Sequence, residues 1–401
     1  MIPMERIDIT DSTGHGISTS VTDYGARLMA VIVPDRDGNP TNVLLGLPTV
    51  DDYAADDCYL GAIIGRNANR IARARCVIGG ETHRLAANED TNSSHSGPDG
   101  YEHRRWTVIE HGRGSVTLAL TSPDGDQGFP GTMDIQARYG VAGNALDLVI
   151  DADCDRTTIA NMTNHAYWNL SGEGSGDMLD QELQIFTDRF CPTNERFIPL
   201  PHAPVEGTAM DFRAPRVIGE ALRSGLDTGD EQILAARGYN HAFVFEDAAG
   251  QLPGAATLEL SRLDGSKPDG PGHPDAPDAS GASGSPREPA NSNGMRKLAS
   301  AYSPRTGIRM TQYANAPAVL FYSAGFMENV LGTSGHTYGP SAGYALEPGF
   351  VPNSINDPSE LSPELPAGQH YQLHIRWEFE TENPSAQQMF RTRNRKQQGA
   401  D

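Results

Sequence analysis

Alternation is the feature that most limits the folds open to this chain. Short runs of Val, Ile, Leu, Thr and Tyr, apolar at every second position, recur from one end to the other, which is the period of a strand with one buried face. Arg27 to Val33 reads as a strand, Asp35 to Pro40 as its turn, and Asn42 to Gly46 as the returning partner. Ser115 to Thr121, Asp134 to Tyr139 and Ala145 to Asp151 read the same way, as do Ala256 to Ser261, Ile308 to Tyr313, Ala318 to Phe321 and Tyr371 to Phe379. The 43 glycines and 28 prolines punctuate these runs, and Ser122 to Gly131 is dense enough in turn formers to demand a sharply folded loop. Long helical patterns are missing. The predicted fold class is all-β, a large two-layer antiparallel β-sandwich rather than separate α/β domains.

At 401 residues the chain is long for one domain, but large sandwiches reach that size, and a single domain over 1–401 is expected. From about 264 to 293 the composition shifts to Gly, Pro, Ser, Asp and Ala. Such a segment buries too little apolar surface to offset its ordering entropy. It reads as a disordered surface insertion between two strands, with an interdomain linker as the alternative; the polar end, about 391–401, reads as frayed. A formal net charge of -21 and a pI near 4.9 argue against nucleic acid and anionic membranes as partners. A neutral substrate feels little of that field. The start of the chain lacks a basic segment followed by an apolar run, and no stretch is apolar enough to span a bilayer, so a soluble, cytoplasmic protein is expected. Cys58, Cys76, Cys154 and Cys191 are scattered with no Cys-x-x-Cys pair, which points to reduced thiols rather than a zinc site or a disulfide framework.

Chemistry concentrates between Asn161 and Gly172, where His165 stands among Asn161, Asn164, Asn169, Tyr167 and Trp168. An isolated histidine is usually structural. Here its neighbours supply what a polyhydroxylated ligand needs: flat aromatic faces for sugar C–H surfaces, and amides that both donate to and accept from hydroxyls. Three other places combine polar groups with strand-rich surroundings: Gly65 to Ile71 with Thr91 to Pro98, Gly238 to His241, and Tyr344 to Phe350. Taken singly, Arg70 is as well read as a structural ion-pair partner, Glu347 as a strand-end charge, and His241 as a core histidine opening the apolar run 242–245.

Together, and in this order, Gly-Arg-x-Ala-Asn-Arg-Ile, Ser-Pro-Asp-Gly-Asp-Gln-Gly-Phe-Pro-Gly, Thr-Asn-His-x-Tyr-x-Asn-Leu-x-Gly, Gly-Tyr-x-His and Leu-Glu-Pro resemble the aldose 1-epimerase (galactose mutarotase) family. The resemblance runs from roughly Tyr24 to Tyr371. It implies a single galactose mutarotase-like supersandwich with an open sugar cleft, interconverting the α and β anomers of free hexoses such as galactose and glucose, with no metal and no cofactor. Carried across, it makes Glu347 the general base and His165 the general acid, with Arg70, His95, Asn69, Asn240 and Tyr167 binding substrate. At 240 the family commonly carries Asp, so Asn240 gives up a charge-assisted bond to a sugar hydroxyl. Ser96 replaces a usual Gly and Gly349 a frequent Gln, and both are expected on the pocket wall. The partner implied is a small sugar, with the protein a monomer or homodimer.

Ring opening removes the proton of the anomeric hydroxyl while another reaches the ring oxygen. A carboxylate and an imidazolium on opposite sides of the C1–O5 unit do both. Histidine needs little tuning for that role, and Glu347 is expected to stay ionised with Arg70 nearby. Three rival readings stay open: a sugar-phosphate 1-epimerase, which needs more cations at the cleft; a non-catalytic carbohydrate-binding sandwich; and a glycosidase, which needs a second carboxylate flanking the bond.

Overall fold

The computed structural model describes residues 3–11, 13, 16–245 and 294–382. The expected strand Ala256 to Ser261, the insertion at 264–293 and the tail at 391–401 lie outside the described residues.

Two large sheets carry the fold. The first has nine strands, in the order Thr107–His111, Ser115–Ser122, Met133–Ala142, Ala145–Cys154, His370–Thr381, Ile308–Ala314, Arg296–Tyr302, Glu182–Ile185 and Arg216–Val217. The second has six: Tyr167–Trp168, Tyr344–Gly349, Ala318–Tyr322, Asn240–Val244, Arg189–Phe190 and Ala203–Pro204. A four-stranded sheet, Arg6–Thr10, Ser18–Thr22, Arg27–Pro34 and Pro40–Asn42, flanks them. Neighbouring strands in all three sheets are antiparallel. The all-β sandwich expected from alternation is therefore the fold observed.

The nine-stranded sheet shows the pattern plainly. In Met133–Ala142 buried and solvent-facing residues alternate along most of the strand, because one face meets the core and the other water. The core between the sheets joins Leu148, Ile150, Ile375 and Trp377 of the large sheet to Trp168, Phe321, Tyr344 and Leu346 of the smaller one. Trp168 is its pivot, with its ring 5.5 Å from that of Trp377 and 5.8 Å from that of Phe379.

Two expectations need correction. The partner of Arg27–Pro34 is Pro40–Asn42, not 42–46, because Leu44 has already left that ladder to bridge Trp168. Helices also occur: Ile218–Thr228 and Glu231–Ala236. The first buries Ile218, Ala221 and Gly225 at helical spacing, but Gly219 and Gly225 masked that period in the sequence. Gly219 is required where it stands, since a Cβ there would lie 2.8 Å from the Leu179 carbonyl oxygen. Gly229 closes the helix in the left-handed conformation, and Asp230 caps the next by accepting from the Gln232 and Ile233 N–H groups.

Replacing Trp168 by Ala empties the contact between the sheets and should destabilise the protein by about 3–5 kcal/mol. Urea unfolding would measure it; a loss of under about 1 kcal/mol would show that this ring does not hold the sheets together.

Candidate active site

The register of the six-stranded sheet builds the floor of the site. Tyr167 pairs with Ala345, Ala345 with Tyr322 and Glu347 with Leu320, and Tyr322 with Asn240. Directly paired residues share a face, so Tyr167, Glu347, Leu320, Tyr322 and Asn240 emerge on one side. Their chain neighbours Trp168, Leu346, Phe321 and His241 emerge on the other, where all four are buried. The exposed side of this sheet is a cleft of about 360 Å³, lined also by Tyr59, Asn69, Arg70, Glu89, His95, His165 and Phe197. That is the scale of a small-ligand site. Every site residue expected from the sequence, Glu347, His165, Arg70, His95, Asn69, Asn240 and Tyr167, lines it.

The other walls come from loops tied to this floor. His165 follows the short strand Thr163–Asn164, which pairs with Ile63–Ile64, and its own N–H donates to the Ala62 carbonyl at 2.8 Å. Arg70 pairs with Ser94, bringing the loop with His95 alongside. His95 and Ser96 hold positive φ values of 49° and 72°, a conformation that costs non-glycine residues energy and concentrates at functional sites. The buried guanidinium of Arg66 donates to the Pro130 carbonyl at 2.8 Å, the Thr158 hydroxyl at 3.0 Å and the Ser122 hydroxyl at 2.6 Å, so it pins the 122–131 loop to the segment that leads to Arg70.

Glu347 and His165 meet at the bottom of the cleft, with Oε1 and Nε2 3.5 Å apart and both side chains almost fully buried. The distance is too long for a strong hydrogen bond. Glu347 Oε1 and His165 Nδ1 have no hydrogen-bond partner among the described residues. The two groups, one from the floor and one from a loop wall, approach closely enough to reach two oxygens that share one carbon.

Burial governs the charges. Desolvation pushes the Glu347 carboxyl up to about 8, with the Arg70 cation opposing it, and pushes the His165 imidazole down to about 4. Where an ionised Glu347 and an untuned histidine are expected, burial shifts both groups toward their neutral forms, and for Glu347 desolvation outweighs Arg70. Both shifts favour the neutral form, a carboxylic acid beside a neutral imidazole. Arg70 opposes this only in part, and its Nε and Nη2 donate to the two Glu89 oxygens at 2.6 and 2.7 Å. The neighbour His95 is also held well below the usual imidazole range, chiefly by burial. Its Nδ1 accepts from the Asn69 N–H at 3.3 Å, which puts the neutral ring's proton on Nε2.

Other expectations shift. Trp168 is a core ring, since strand alternation turns it away from Tyr167. Asn164 donates to the Gly61 carbonyl and the Tyr139 hydroxyl, and Asn169 to the Gly176 and Ala342 carbonyls, so both are scaffold. Ser96 is no pocket wall: its hydroxyl accepts from the Asn67 N–H at 2.7 Å and donates to the Asn67 carbonyl at 3.0 Å. Gly349 does not line the cleft but a small cavity beside it on the same sheet face, where a Cβ would come within 2.8 Å of Asn161 Oδ1. His241 is buried and structural, taking the Asn240 N–H on Nδ1 and meeting Gln232 Oε1 at 3.1 Å. Sequence reasoning missed Tyr59, 4.6 Å from the His95 ring and 5.7 Å from that of His165, and Tyr322, 6.3 Å from His165. Tyr322 was recoverable from alternation with Leu320; Tyr59, in a loop, gave no signal. Among the described residues Asp56, Asp57 and Cys58 converge closely enough to ligate a metal, but Asp56 is already paired with the buried Arg27.

A strand-built cleft that sets one carboxyl against one imidazole and surrounds them with aromatic faces and hydroxyl-binding groups defines a sugar isomerase on an antiparallel sandwich. The comparisons agree. The model of the aldose 1-epimerase family matches residues 8–267. The aldose 1-epimerase of Escherichia coli (strain K12) is 30% identical over 375 residues, spanning 92% of this chain and 94% of that protein. The galactose mutarotase of Mus musculus is 31% identical over 365 residues, 90% of each. Among solved structures, an aldose epimerase homologue from C. elegans superposes with a TM-score of 0.76 at 23% identity, covering 95% of this chain and 100% of that one. A galactose 1-epimerase from Lactobacillus acidophilus gives 0.69 at 24%, covering 96% and 100%. The chain belongs to the aldose 1-epimerase family.

The charge assignment can be read directly. Titration of labelled His165 by NMR should show a midpoint near 4, and labelled Glu347 a midpoint near 8; values near the ordinary 6.5 and 4.5 would show that water, not the fold, sets the pair's charges.

Proposed function

We propose that this protein interconverts the α and β anomers of free hexoses, galactose and glucose foremost, with Glu347 as base and His165 as acid. One observation carries the reading: the 3.5 Å approach of His165 Nε2 to Glu347 Oε1 on the floor of a hexose-sized cleft. Glu347 takes the proton of the anomeric hydroxyl and His165 gives one to the ring oxygen. Rotation about C1–C2 and the reverse transfers close the other anomer. The working form has the pair's single proton on His165, reached by moving it from the carboxyl. His95 Nε2–H and the free N–H groups of Arg70 donate to sugar oxygens, Tyr167 offers a ring face, and Asn240 and Asn69 lie beside them. The reaction is internally redox-neutral and forms no covalent intermediate, so these groups suffice for it without a cofactor.

We read residues 1–401 as one unit, supported by a core cluster that runs from Ile7 to Phe379. No helix among the described residues is long and apolar enough to cross a membrane. We place the protein in the cytoplasm as a monomer or homodimer, in keeping with four unpaired cysteines. The rival sugar-phosphate reading finds, among the described residues, one cation lining the cleft, Arg70, and that cation is already paired.

Glu347→Gln and His165→Asn should each lower kcat by about 10²-fold or more with unchanged melting, read by polarimetry on galactose and glucose beside hexose 6-phosphates and aryl glycosides. Near wild-type turnover in either variant, or a preference for the phosphates, would contradict the assignment.

The wild-type pH profile is fixed by the same two groups. Below about 4 both are protonated and no base remains; above about 8 the shared proton is gone and no acid remains. The kcat/KM profile, which reports the free enzyme, should therefore stay level between those limbs, and an acid limb near 6.5 would overturn this account.

A further inference from the structure

Arg70 enters the cleft already clamped. Its Nε and Nη2 meet the two oxygens of Glu89 at 2.6 and 2.7 Å, Nη1 meets Asn69 Oδ1 at 3.2 Å, and its guanidinium carbon lies 5.0 Å from the centre of the Phe197 ring. A guanidinium has five N–H donors in one plane. Three are committed, which leaves one on each Nη, in a fixed plane, for a ligand. Such a fork suits two neighbouring oxygens of a pyranose better than a single acceptor.

Glu89 is held as firmly by its own backbone. It occupies a tight turn in which its N–H and carbonyl both bond to Asn92, at 3.3 and 2.9 Å. Asn88 brackets the turn through the backbone of Ser94, donating to its carbonyl at 2.9 Å and accepting its N–H at 2.8 Å. Ser94 is the residue paired with Arg70. The turn that carries Glu89 is thus tied to the ladder that carries Arg70, so the main chain brings the two members of the ion pair together. The Arg70 side chain is 11% exposed and that of Glu89 40%, so the acid sits at the rim and the cation inside.

We propose that Glu89 is a positioning residue for the anomerisation: it orients the Arg70 guanidinium toward the sugar and cancels its charge, so that Arg70 acts as a fixed pair of hydrogen-bond donors and not as a free cation. The proposal rests on the functional reading above. It accounts for a cation that lines the cleft beside Glu347 without keeping that carboxyl ionised. The titratable groups lining the cleft around Glu347 are His165, Tyr167, Tyr322, Tyr59, His95 and Arg70, with Cys58, Asp57 and Glu89 toward the rim. Arg70 is the one fixed cation in this set, so its neutralisation sets the local field.

Two variants separate orientation from charge. Glu89→Gln removes the charge and loosens the fork. KM for galactose should rise about 10-fold, the loss of a charge-assisted contact, with kcat within about 3-fold of wild type. The unpaired Arg70 then favours the Glu347 carboxylate, so the shared proton leaves at lower pH. The alkaline limb of kcat/KM should move down by about half a unit or more, less than the 1–3 units of a cation in direct contact. Glu89→Asp keeps the charge but shortens the reach: KM should rise while the limb stays in place. Calorimetric binding of galactose to each variant reads the positioning without turnover. A folded Glu89→Gln protein with wild-type KM, wild-type sugar affinity and an unmoved limb overturns the proposal, as does a fall in melting temperature with neither kinetic change. Absence of mutarotation in the wild type would instead overturn the functional reading beneath it.

Discussion

The floor of this cleft, and with it the direction of Glu347, depends on strand alternation in the six-stranded sheet. Trp168 and Leu346 face a core in which water has no place, so Tyr167 and Glu347 must face the other way. The register is enforced from both sides. A one-residue slip would carry Trp168 away from Trp377 and Phe379 into the cleft, and drive Glu347 into apolar packing, where an unpaired carboxylate is costly. The same packing that stabilises the sandwich therefore aims the carboxyl, and the chemistry needs no separate scaffold.

Burial then decides the electrostatics. Glu347 and His165 are both deep enough for desolvation to favour their neutral forms, and the cation that would offset this for the carboxyl is bound to Glu89. The pair is left with a single proton and two possible holders. That is a suitable state for a reaction whose forward and reverse halves swap which group gives and which takes. The acidic surface, with a formal net charge of -21, contributes little here, because a neutral hexose neither gains nor loses much by crossing it.

Much of this was legible in the residues, and the exceptions share a cause. Alternation gave the large strands to within a few positions, since one face of each is buried. The residues that line the cleft were legible because their motifs stand in a fixed order, although Arg66 in the first motif serves to hold the second. What escaped depended on partners distant in sequence or on orientation. Trp168 looked like a sugar platform beside Tyr167, and only the pairing of both with the 344–345 segment shows that they point apart. Ser96 was taken for pocket wall because it follows His95, yet its left-handed backbone turns the hydroxyl onto Asn67. Glu89 stands in an Asn-Glu-Asp-Thr-Asn run that reads as a solvated turn, and nothing local reveals that Arg70 waits across a two-residue ladder. The helix at 218–228 was hidden by its glycines, one of which makes room for a carbonyl.

The central claim is geometric and can be seen. A crystal structure of the Glu347→Gln variant soaked with galactose or glucose should show the sugar's anomeric carbon over the 347–165 pair, its O1 within hydrogen-bond reach of residue 347 and its ring oxygen within reach of His165 Nε2. A hexose bound in this cleft with its anomeric carbon turned toward the rim, away from both side chains, would contradict the account.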